Sequence, residues 1–149
     1  MAKVLYTAEA HVEGGRAKGH GRTTDGELEV DIRPPRELGG EGGGTNPEQL
    51  FAVGFASCFE SALSIVAMRE KANAEDASID SKVMLIPNAE NRGFGLAVEL
   101  DVTLPSITDD EEAARLVSIA HKVCPYSMAT RGNIDVALTA NGKLVEHAS

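Results

Sequence analysis

The sequence predicts an α+β fold, because strand-like and helix-like segments occupy separate stretches of the chain. Residues 1–36 contain short β-prone segments separated by turn signals such as Asp25-Gly26. Residues 47–68 form one apolar run that is long enough for a central helix. Residues 94–104 alternate apolar and polar side chains, which is the period of a half-buried strand. The predicted order is three strands, a helix, two strands, a helix and a strand.

Residues that favour turns separate the predicted strands. Gly14-Gly15 lies between the first two strands, and Asn141-Gly142 follows the last one. The predicted strands cover residues 4–12, 16–23, 28–32, 78–87, 94–104 and 133–140.

The central helix should begin after Asn46, whose side chain suits the N-cap position. Pro47 suits the first helical position, and Glu48 places an anion in the first turn, where the helix dipole favours one. A second helix should begin where Thr108 and Glu111 form a capping-box pattern.

Length and charge narrow the class of protein. With 149 residues and 42% hydrophobic side chains, the chain is expected to form a single domain over residues 1–149. Its net charge of -9 argues against nucleic acid and anionic membrane surfaces as partners, because both bind basic patches. We therefore expect neither a nucleic-acid partner nor a membrane partner.

The sequence also predicts a cytoplasmic location. The stretch MAKVLYTAEAHVEGG contains no apolar h-region and no small-residue cleavage site. Two cysteines without an export signal indicate a reducing compartment, where a disulfide is more often transient than structural. Residues 50–68 resemble a membrane span, but Ser57, Glu60 and Ser61 lower their apolarity. We interpret them as a buried helix of a soluble protein.

The chain contains two cysteines, Cys58 and Cys124, and their settings indicate redox chemistry. Cys58 lies midway along the apolar helical run. Cys124 precedes Pro125, where the second predicted helix must stop. Two thiols brought together by folding suggest peroxide chemistry, in which one thiol is oxidised and the other closes a disulfide onto it.

A cysteine attacks a peroxide as the thiolate, so Cys58 needs a lowered pKa. It lies twelve positions past Asn46, beyond the first-turn reach of the helix dipole, and burial would raise its pKa further. A cation must therefore come from elsewhere in the fold. The residues alone leave several candidates open, namely Arg16, Lys18, Arg22 and Arg36.

Several segments carry a resemblance to a known family. They are GGR at residues 14–16, ELGGEGGGTNPEQLFAVGFASCFESAL at residues 37–63 and VCPYSMATRGNIDV at residues 123–136. Together with FGLAVELDVTLP, they closely resemble the organic hydroperoxide resistance (Ohr) proteins of the Ohr/OsmC superfamily. The resemblance implies an OsmC/Ohr-like fold, with antiparallel sheets wrapped around long central helices in an intertwined homodimer. It also implies a Cys-based, thiol-dependent peroxidase that reduces organic and lipid hydroperoxides to alcohols.

The resemblance implies roles by position. Cys58 matches the peroxidatic cysteine and Cys124 the resolving cysteine, so the implied intermediate is a Cys58–Cys124 disulfide. Arg16 matches the arginine that stabilises the thiolate, and Glu48 matches the carboxylate that orients Arg16. The implied reductant is a dithiol carried by a lipoylated protein, and no cofactor is implied.

Two alternatives to this function stay open. An OsmC-type peroxidase would accept a broader range of substrates. A non-catalytic redox-sensing module would use oxidation of the two thiols as a signal. No metal site is expected, because the four histidines lack the spacing of a metal-binding motif; they are His11, His20, His121 and His147.

Helix geometry predicts shared active sites. Ten residues separate Glu48 from Cys58, which on a straight helix is a rise of about 15 Å. Glu48 therefore does not readily reach a site built on Cys58 of its own chain, although a kink at Gly54 would shorten the distance. We expect Arg16 and Glu48 to act on Cys58 of a partner chain. A homodimer would also cover a helix that is apolar nearly all round.

Three aromatic residues are candidates for a substrate pocket: Phe51, Phe55 and Tyr126. Phe51 lies seven residues before Cys58, on the same helix face, and Phe55 is nearby. Packing in the core is the alternative interpretation, because apolar stripes on helices usually face a core. As a pocket, the rings would hold the apolar tail of a peroxide.

Overall fold

The computed structural model describes residues 2–148, and for residues 146–148 it describes the backbone without the side chains. The chain forms two compact units, Met1–Leu50 and Phe51–Ser149. Strands form two separate sheets and helices accompany them, which confirms the α+β class. The single domain expected over residues 1–149 stays a prediction.

The first unit contains a three-stranded antiparallel sheet in the order β1 (Ala10–Glu13), β2 (Gly19–Thr23) and β3 (Glu29–Ile32). The turn between β1 and β2 requires glycine, because Gly14 has a φ of 78° and a Cβ there would lie 2.2 Å from the carbonyl oxygen of Lys18. This turn carries Arg16.

The predicted strand over residues 4–12 is wrong at its N-terminal end, because β1 begins at Ala10. Val4, Leu5 and Tyr6 lie outside any strand, and their side chains are exposed. High β-propensity describes how a side chain fits a sheet, and it does not supply a neighbouring strand for pairing.

The long helix α1 (Pro47–Arg69) continues without interruption through Gly54. Its start confirms the predicted cap, because Asn46 Oδ1 accepts a hydrogen bond from the N–H of Gln49 at 2.9 Å. Within residues 2–148, α1 is the one helix long and apolar enough to cross a membrane, a property that core helices share. In the single chain, only 33% of the most apolar 18-residue stretch of α1 is buried, so much of the apolar surface of this helix is uncovered.

The second unit contains a four-stranded sheet in the order β4 (Ser78–Asn88), β5 (Gly93–Thr103), β6 (Asp135–Ala140) and β7 (Lys143–Ala148). The expected antiparallel pairing is found between β4 and β5 and between β6 and β7, whereas β5 and β6 run parallel. Two helices separate these strands in the chain, and such a crossover lets a strand return in the same direction.

Helices α2 (Asp110–Val123) and α3 (Pro125–Thr130) form this crossover. The cap of α2 is Asp109, whose carboxylate accepts a hydrogen bond from the N–H of Glu111 at 3.0 Å. The predicted capping box at Thr108 is therefore one residue too early. Aspartate and threonine both suit an N-cap, so adjacent candidates are not resolved by propensity.

The hydrophobic core of the second unit joins α1, α2 and the four-stranded sheet. Cys124 belongs to this core, and Cys58 packs against it, so folding brings both cysteines to one region. Part of α1 stays outside the core, where Val53, Ile65 and Met68 are exposed. The largest buried side chains are Phe55, Phe59, Leu63, Val98, Leu100, Val102, Leu104, Leu116, Val117, Val136 and Leu138.

Candidate active site

The two cysteine thiols face each other in the second unit. Cys58 Sγ and Cys124 Sγ lie 3.6 Å apart, although 66 residues separate them in the chain. Both thiols are free; Cys124 is fully buried, whereas Cys58 is partly exposed. A disulfide joins sulfurs about 2 Å apart, so a small side-chain shift would close one here. The geometry therefore suits reversible thiol oxidation.

Cys124 occupies the corner between two helices. It is the C-cap of α2 and the N-cap of α3, with an extended backbone conformation. Pro125 ends α2 as predicted, because its ring excludes a further helical hydrogen bond, and it suits the first position of α3. Helix α3 itself is a feature that the sequence pattern does not indicate, since its six residues are too few to show a helical period.

The surroundings of Cys58 make its thiol a weak acid. Burial raises the pKa of Cys58 above its ordinary value. A hydrogen bond from the backbone N–H of Tyr126 acts in the opposite direction, because it stabilises the thiolate, whereas the Cys124 thiol raises the pKa of Cys58. None of these three influences is a cation. A thiolate at neutral pH therefore requires a positive charge from another source.

Two aromatic rings of α1, on the turns that precede Cys58, cluster with one ring of α3. The ring centroids of Phe51, Phe55 and Tyr126 lie 5.8 to 6.0 Å from one another. Gly54 faces this cluster, since a Cβ there would lie 3.4 Å from the hydroxyl oxygen of Tyr126. Phe55 is fully buried and Tyr126 is 40% exposed, so the cluster extends from the core to the surface. The structure thus brings together all three candidate pocket residues.

Arg16 and Glu48 form an ion pair in the first unit. Arg16 Nη1 donates to Glu48 Oε2 at 3.0 Å and Nη2 donates to Oε1 at 2.7 Å, a bidentate geometry that fixes the guanidinium plane. These hydrogen bonds hold the pKa of Glu48 below its ordinary value and raise the pKa of Arg16. The Arg16 side chain is 54% exposed, so its other N–H groups can serve a further partner. Among the four candidate cations, Arg16 is the one that Glu48 holds.

Sequence reasoning missed a buried polar pair beside Cys124. His121 Nδ1 and Ser127 Oγ lie 2.9 Å apart, and both side chains are buried. Arg131 donates to the carbonyl oxygen of His121 at 2.7 Å. The signal that could have found the pair is its spacing, since His121 and Ser127 stand three residues before and three residues after Cys124.

Two other histidines contact carboxylates. His20 lies between Asp31 and Glu29, with each ring nitrogen 2.8 Å from one carboxylate oxygen, and His11 contacts Glu13 at 3.0 Å. In the described part of the chain, which excludes the His147 side chain, no group of three or more His, Cys, Asp or Glu residues is placed to hold a metal ion.

Comparison with known proteins places the chain in a known family. A family model described as OsmC-like protein matches residues 40–139. The organic hydroperoxide resistance protein of Xanthomonas axonopodis pv. citri (strain 306) is 52% identical over 141 residues, which are 92% of this chain and 95% of that protein. The chain is thus similar to this relative over nearly its whole length.

Solved structures share the fold. The crystal structure of an organic hydroperoxide resistance protein OsmC from Legionella pneumophila aligns with a TM-score of 0.87 and 53% identity, covering 93% of this chain and 98% of that one. The organic hydroperoxide resistance protein OhrB of Bacillus subtilis aligns with a TM-score of 0.84 and 44% identity, covering 92% and 99%. These alignments confirm the expected OsmC/Ohr-like fold for the single chain.

Proposed function

The chain belongs to the OsmC-like family and, within it, to the organic hydroperoxide resistance proteins, and on this premise we propose that it is a Cys-based, thiol-dependent peroxidase. It reduces organic and lipid hydroperoxides to alcohols. The observation that carries the proposal is the approach of two free thiols to 3.6 Å at a partly buried site. Family membership supports the substrate class, and the thiol pair supports the chemistry.

Cys58 reacts first, because its side chain is partly exposed whereas Cys124 is fully buried. The Cys58 thiolate attacks the terminal oxygen of the hydroperoxide. A sulfur–oxygen bond forms as the oxygen–oxygen bond breaks, and the departing alkoxide takes up a proton to become the alcohol. The product at Cys58 is a sulfenic acid.

Cys124 resolves this intermediate. Its thiol attacks the sulfenic sulfur, the sulfur–sulfur bond forms as the sulfur–oxygen bond breaks, and the hydroxyl group leaves as water with the proton of the thiol. A dithiol reductant then restores both thiols by exchange and is itself oxidised to a disulfide. We assign the reductant to a lipoylated protein and the cycle to the cytoplasm, where free thiols persist. No cofactor takes part.

Arg16 supplies the positive charge that Cys58 lacks, and Glu48 orients Arg16 through the bidentate pair. A guanidinium beside the sulfur lowers the pKa of the thiol by stabilising the thiolate. Because ten residues of continuous helix separate Glu48 from Cys58, a rise of about 15 Å, the pair acts on Cys58 of a partner chain. Each active site of the homodimer then draws residues from both copies.

Uncovered apolar surface supports the homodimer. Helix α1 is apolar nearly all round, yet Val53 and Met68 are exposed. In addition, Leu5 and Tyr6 are exposed on a β-prone segment that joins no strand. Large exposed apolar surfaces mark interaction sites, and a second copy covers both in one step.

The aromatic cluster forms the wall of the substrate pocket. Phe51 and Tyr126 are partly exposed and would contact the apolar tail of the peroxide, while the fully buried Phe55 supports them from the core. This division reconciles the pocket and core interpretations. Apolar walls favour an organic hydroperoxide over hydrogen peroxide, which has no tail to bury.

Intact mass spectrometry tests the chemistry. After one equivalent of cumene hydroperoxide, the mass of each chain should fall by two hydrogen atoms, and peptide mapping should join Cys58 to Cys124. An unchanged mass, or a disulfide between two chains, would contradict the proposed intermediate.

Kinetics separate the proposal from its alternatives. Steady consumption of cumene hydroperoxide with dihydrolipoamide distinguishes an enzyme from a redox sensor, which would stop after one oxidation. Equal rates with hydrogen peroxide would favour an OsmC-type peroxidase with broader substrates. A dilution series tests the shared site: full activity in dissociated monomers would rule out the contribution of a partner chain.

A further inference from the structure

Two backbone hydrogen bonds hold Cys124 in place between α2 and α3, and neither takes part in the reaction cycle. Its N–H donates to the carbonyl oxygen of Ala120 at 2.9 Å, and its carbonyl oxygen accepts the N–H of Met128 at 3.0 Å. The backbone of Cys124 is therefore committed to α2 on one side and to α3 on the other. The direction of its thiol depends on how these two helices meet.

Two buried side chains connect α2 to α3 beside Cys124. His121, in the last turn of α2, and Ser127, in the first turn of α3, join across Cys124 through the 2.9 Å contact between Nδ1 and Oγ. His121 is 3% exposed and Ser127 is fully buried, so no bulk water competes for this hydrogen bond. The contact links residues on both sides of the resolving cysteine.

A second hydrogen bond, from Arg131, helps to hold His121 in place. The carbonyl oxygen of His121 would accept the N–H four residues later in a continuing helix, but that residue is Pro125, which has none. Arg131 fills this role from the end of α3, donating to the His121 carbonyl oxygen at 2.7 Å. The ring of Phe59, the neighbour of Cys58 on α1, packs near the imidazole with centroids 6.5 Å apart.

We propose that His121 and Ser127 are positioning residues for the resolving thiol: their hydrogen bond holds Cys124 against Cys58 and thereby sets the rate of disulfide closure. This inference rests on the proposed peroxidase function. In the step concerned, the Cys58–Cys124 bond forms as the sulfur–oxygen bond of the sulfenic acid breaks, and water leaves with the proton of the Cys124 thiol.

Closure is sensitive to this placement. The sulfurs must approach by roughly 1.5 Å from their 3.6 Å separation, a shift that side-chain rotation can supply if the corner stays in place. Misplacement of reacting groups by about 1 Å slows a reaction by roughly a hundredfold. A slow closure leaves the sulfenic acid of Cys58 exposed to a second peroxide, which converts it to sulfinic acid.

The test follows the two steps separately after rapid mixing with one equivalent of cumene hydroperoxide. In Ser127→Ala, we expect Cys58 to react with the hydroperoxide at the wild-type rate. Closure of the Cys58–Cys124 disulfide should slow roughly ten- to a hundredfold. With excess peroxide, the fraction of sulfinic acid at Cys58 should rise, as measured by intact mass. A general loss of stability would not slow one step selectively.

Thr130→Val is the matched control. Thr130 is a buried hydroxyl of the same short helix, but it donates to the carbonyl oxygens of Tyr126 and Ser127 within α3 and does not bridge the corner. Its removal should lower the melting temperature and leave the closure rate unchanged. Equal slowing in Thr130→Val and Ser127→Ala would overturn the proposal, because it would indicate general loosening of α3.

His121→Asn provides a second, independent variant if Ser127→Ala does not fold. A pair that acts as one unit predicts that the double variant closes no more slowly than the slower single variant. Wild-type closure in either folded single variant would overturn the positioning role. Failure of the proposed function has a different signature, since the wild-type protein itself would then consume no hydroperoxide.

Discussion

The Sγ atoms of Cys58 and Cys124 lie 3.6 Å apart, one on a partly exposed residue of α1 and the other on a fully buried residue between α2 and α3. This difference in exposure assigns an order to their reactions. Peroxide from solvent meets Cys58 first, and Cys124 reacts after Cys58 has been oxidised. The distinction leads to different expectations for the two cysteine variants.

Cys58→Ser should abolish turnover of cumene hydroperoxide with dihydrolipoamide, because no other thiol is accessible to the peroxide. Cys124→Ser should permit at most a single round before Cys58 is over-oxidised, since no internal thiol traps the sulfenic acid. Peroxide consumption and intact mass, measured on the same samples, check both expectations. Sustained turnover by Cys58→Ser would assign the peroxide reaction to another residue.

Arg16→Ala should raise the pKa of Cys58 and slow peroxide attack, because burial alone raises the pKa of this thiol. Thiolate absorbance against pH measures the change in the assembled protein. Arg22→Ala is the control, since Arg22 is another exposed arginine of the first unit and is not held by Glu48. The same titration curve in Arg16→Ala and wild type would show that Arg16 is not the cation.

Glu48→Gln should change the pH dependence of stability. The hydrogen bonds from Arg16 hold the pKa of Glu48 below its ordinary 4.5, so the pair stabilises the fold above that pH and loses this effect as the pH falls through the lowered pKa. Because Arg16 is 54% exposed, the difference in unfolding free energy at about pH 7 should be below about 1 kcal/mol. Urea unfolding at about pH 7 and about pH 3 measures it. An equal difference in unfolding free energy between wild type and Glu48→Gln at both pH values would contradict this pH dependence.

Gly54→Ala should raise the free energy of unfolding by about 0.5–1 kcal/mol, because glycine inside a helix is less favourable than alanine. The added Cβ would lie 3.4 Å and 3.5 Å from two atoms of Tyr126, which are ordinary contacts, so activity should persist. Gly54→Leu is the contrasting variant, since its larger side chain would displace Tyr126 from the aromatic cluster. Thermal unfolding and peroxide turnover check the pair; destabilisation by alanine would reveal a tighter fit.

The pKa of His20 should lie above its ordinary value of 6.5. The main cause is the hydrogen bond to Asp31, followed by the one to Glu29, because both stabilise the imidazolium. Its contribution to stability is present below pH 6.5 and is lost as the pH rises through the raised pKa. Titration by nuclear magnetic resonance gives the pKa directly. Asp31→Asn should lower it, whereas Glu27→Gln, at an exposed carboxylate outside this cluster, should not; equal effects would point to general surface charge.

Local features of the fold follow from the sequence. The cap at Asn46, the end of α2 before Pro125 and the turn at Gly14 depend on residues only a few positions apart. The same holds for the apolar run that forms α1. The family resemblance added the roles of the cysteines, of Arg16 and of Glu48, which periodicity and propensity cannot supply.

Tertiary structure decided which distant residues meet. The contact between Cys58 and Cys124 spans 66 residues of the chain, and the ion pair between Arg16 and Glu48 spans 32. The parallel pairing of β5 with β6, the unpaired start of the predicted first strand and the contact of His121 with Ser127 likewise depend on how elements pack. Hydrophobic period and residue propensity describe a few turns of chain at a time, so partners brought together by packing lie beyond their reach.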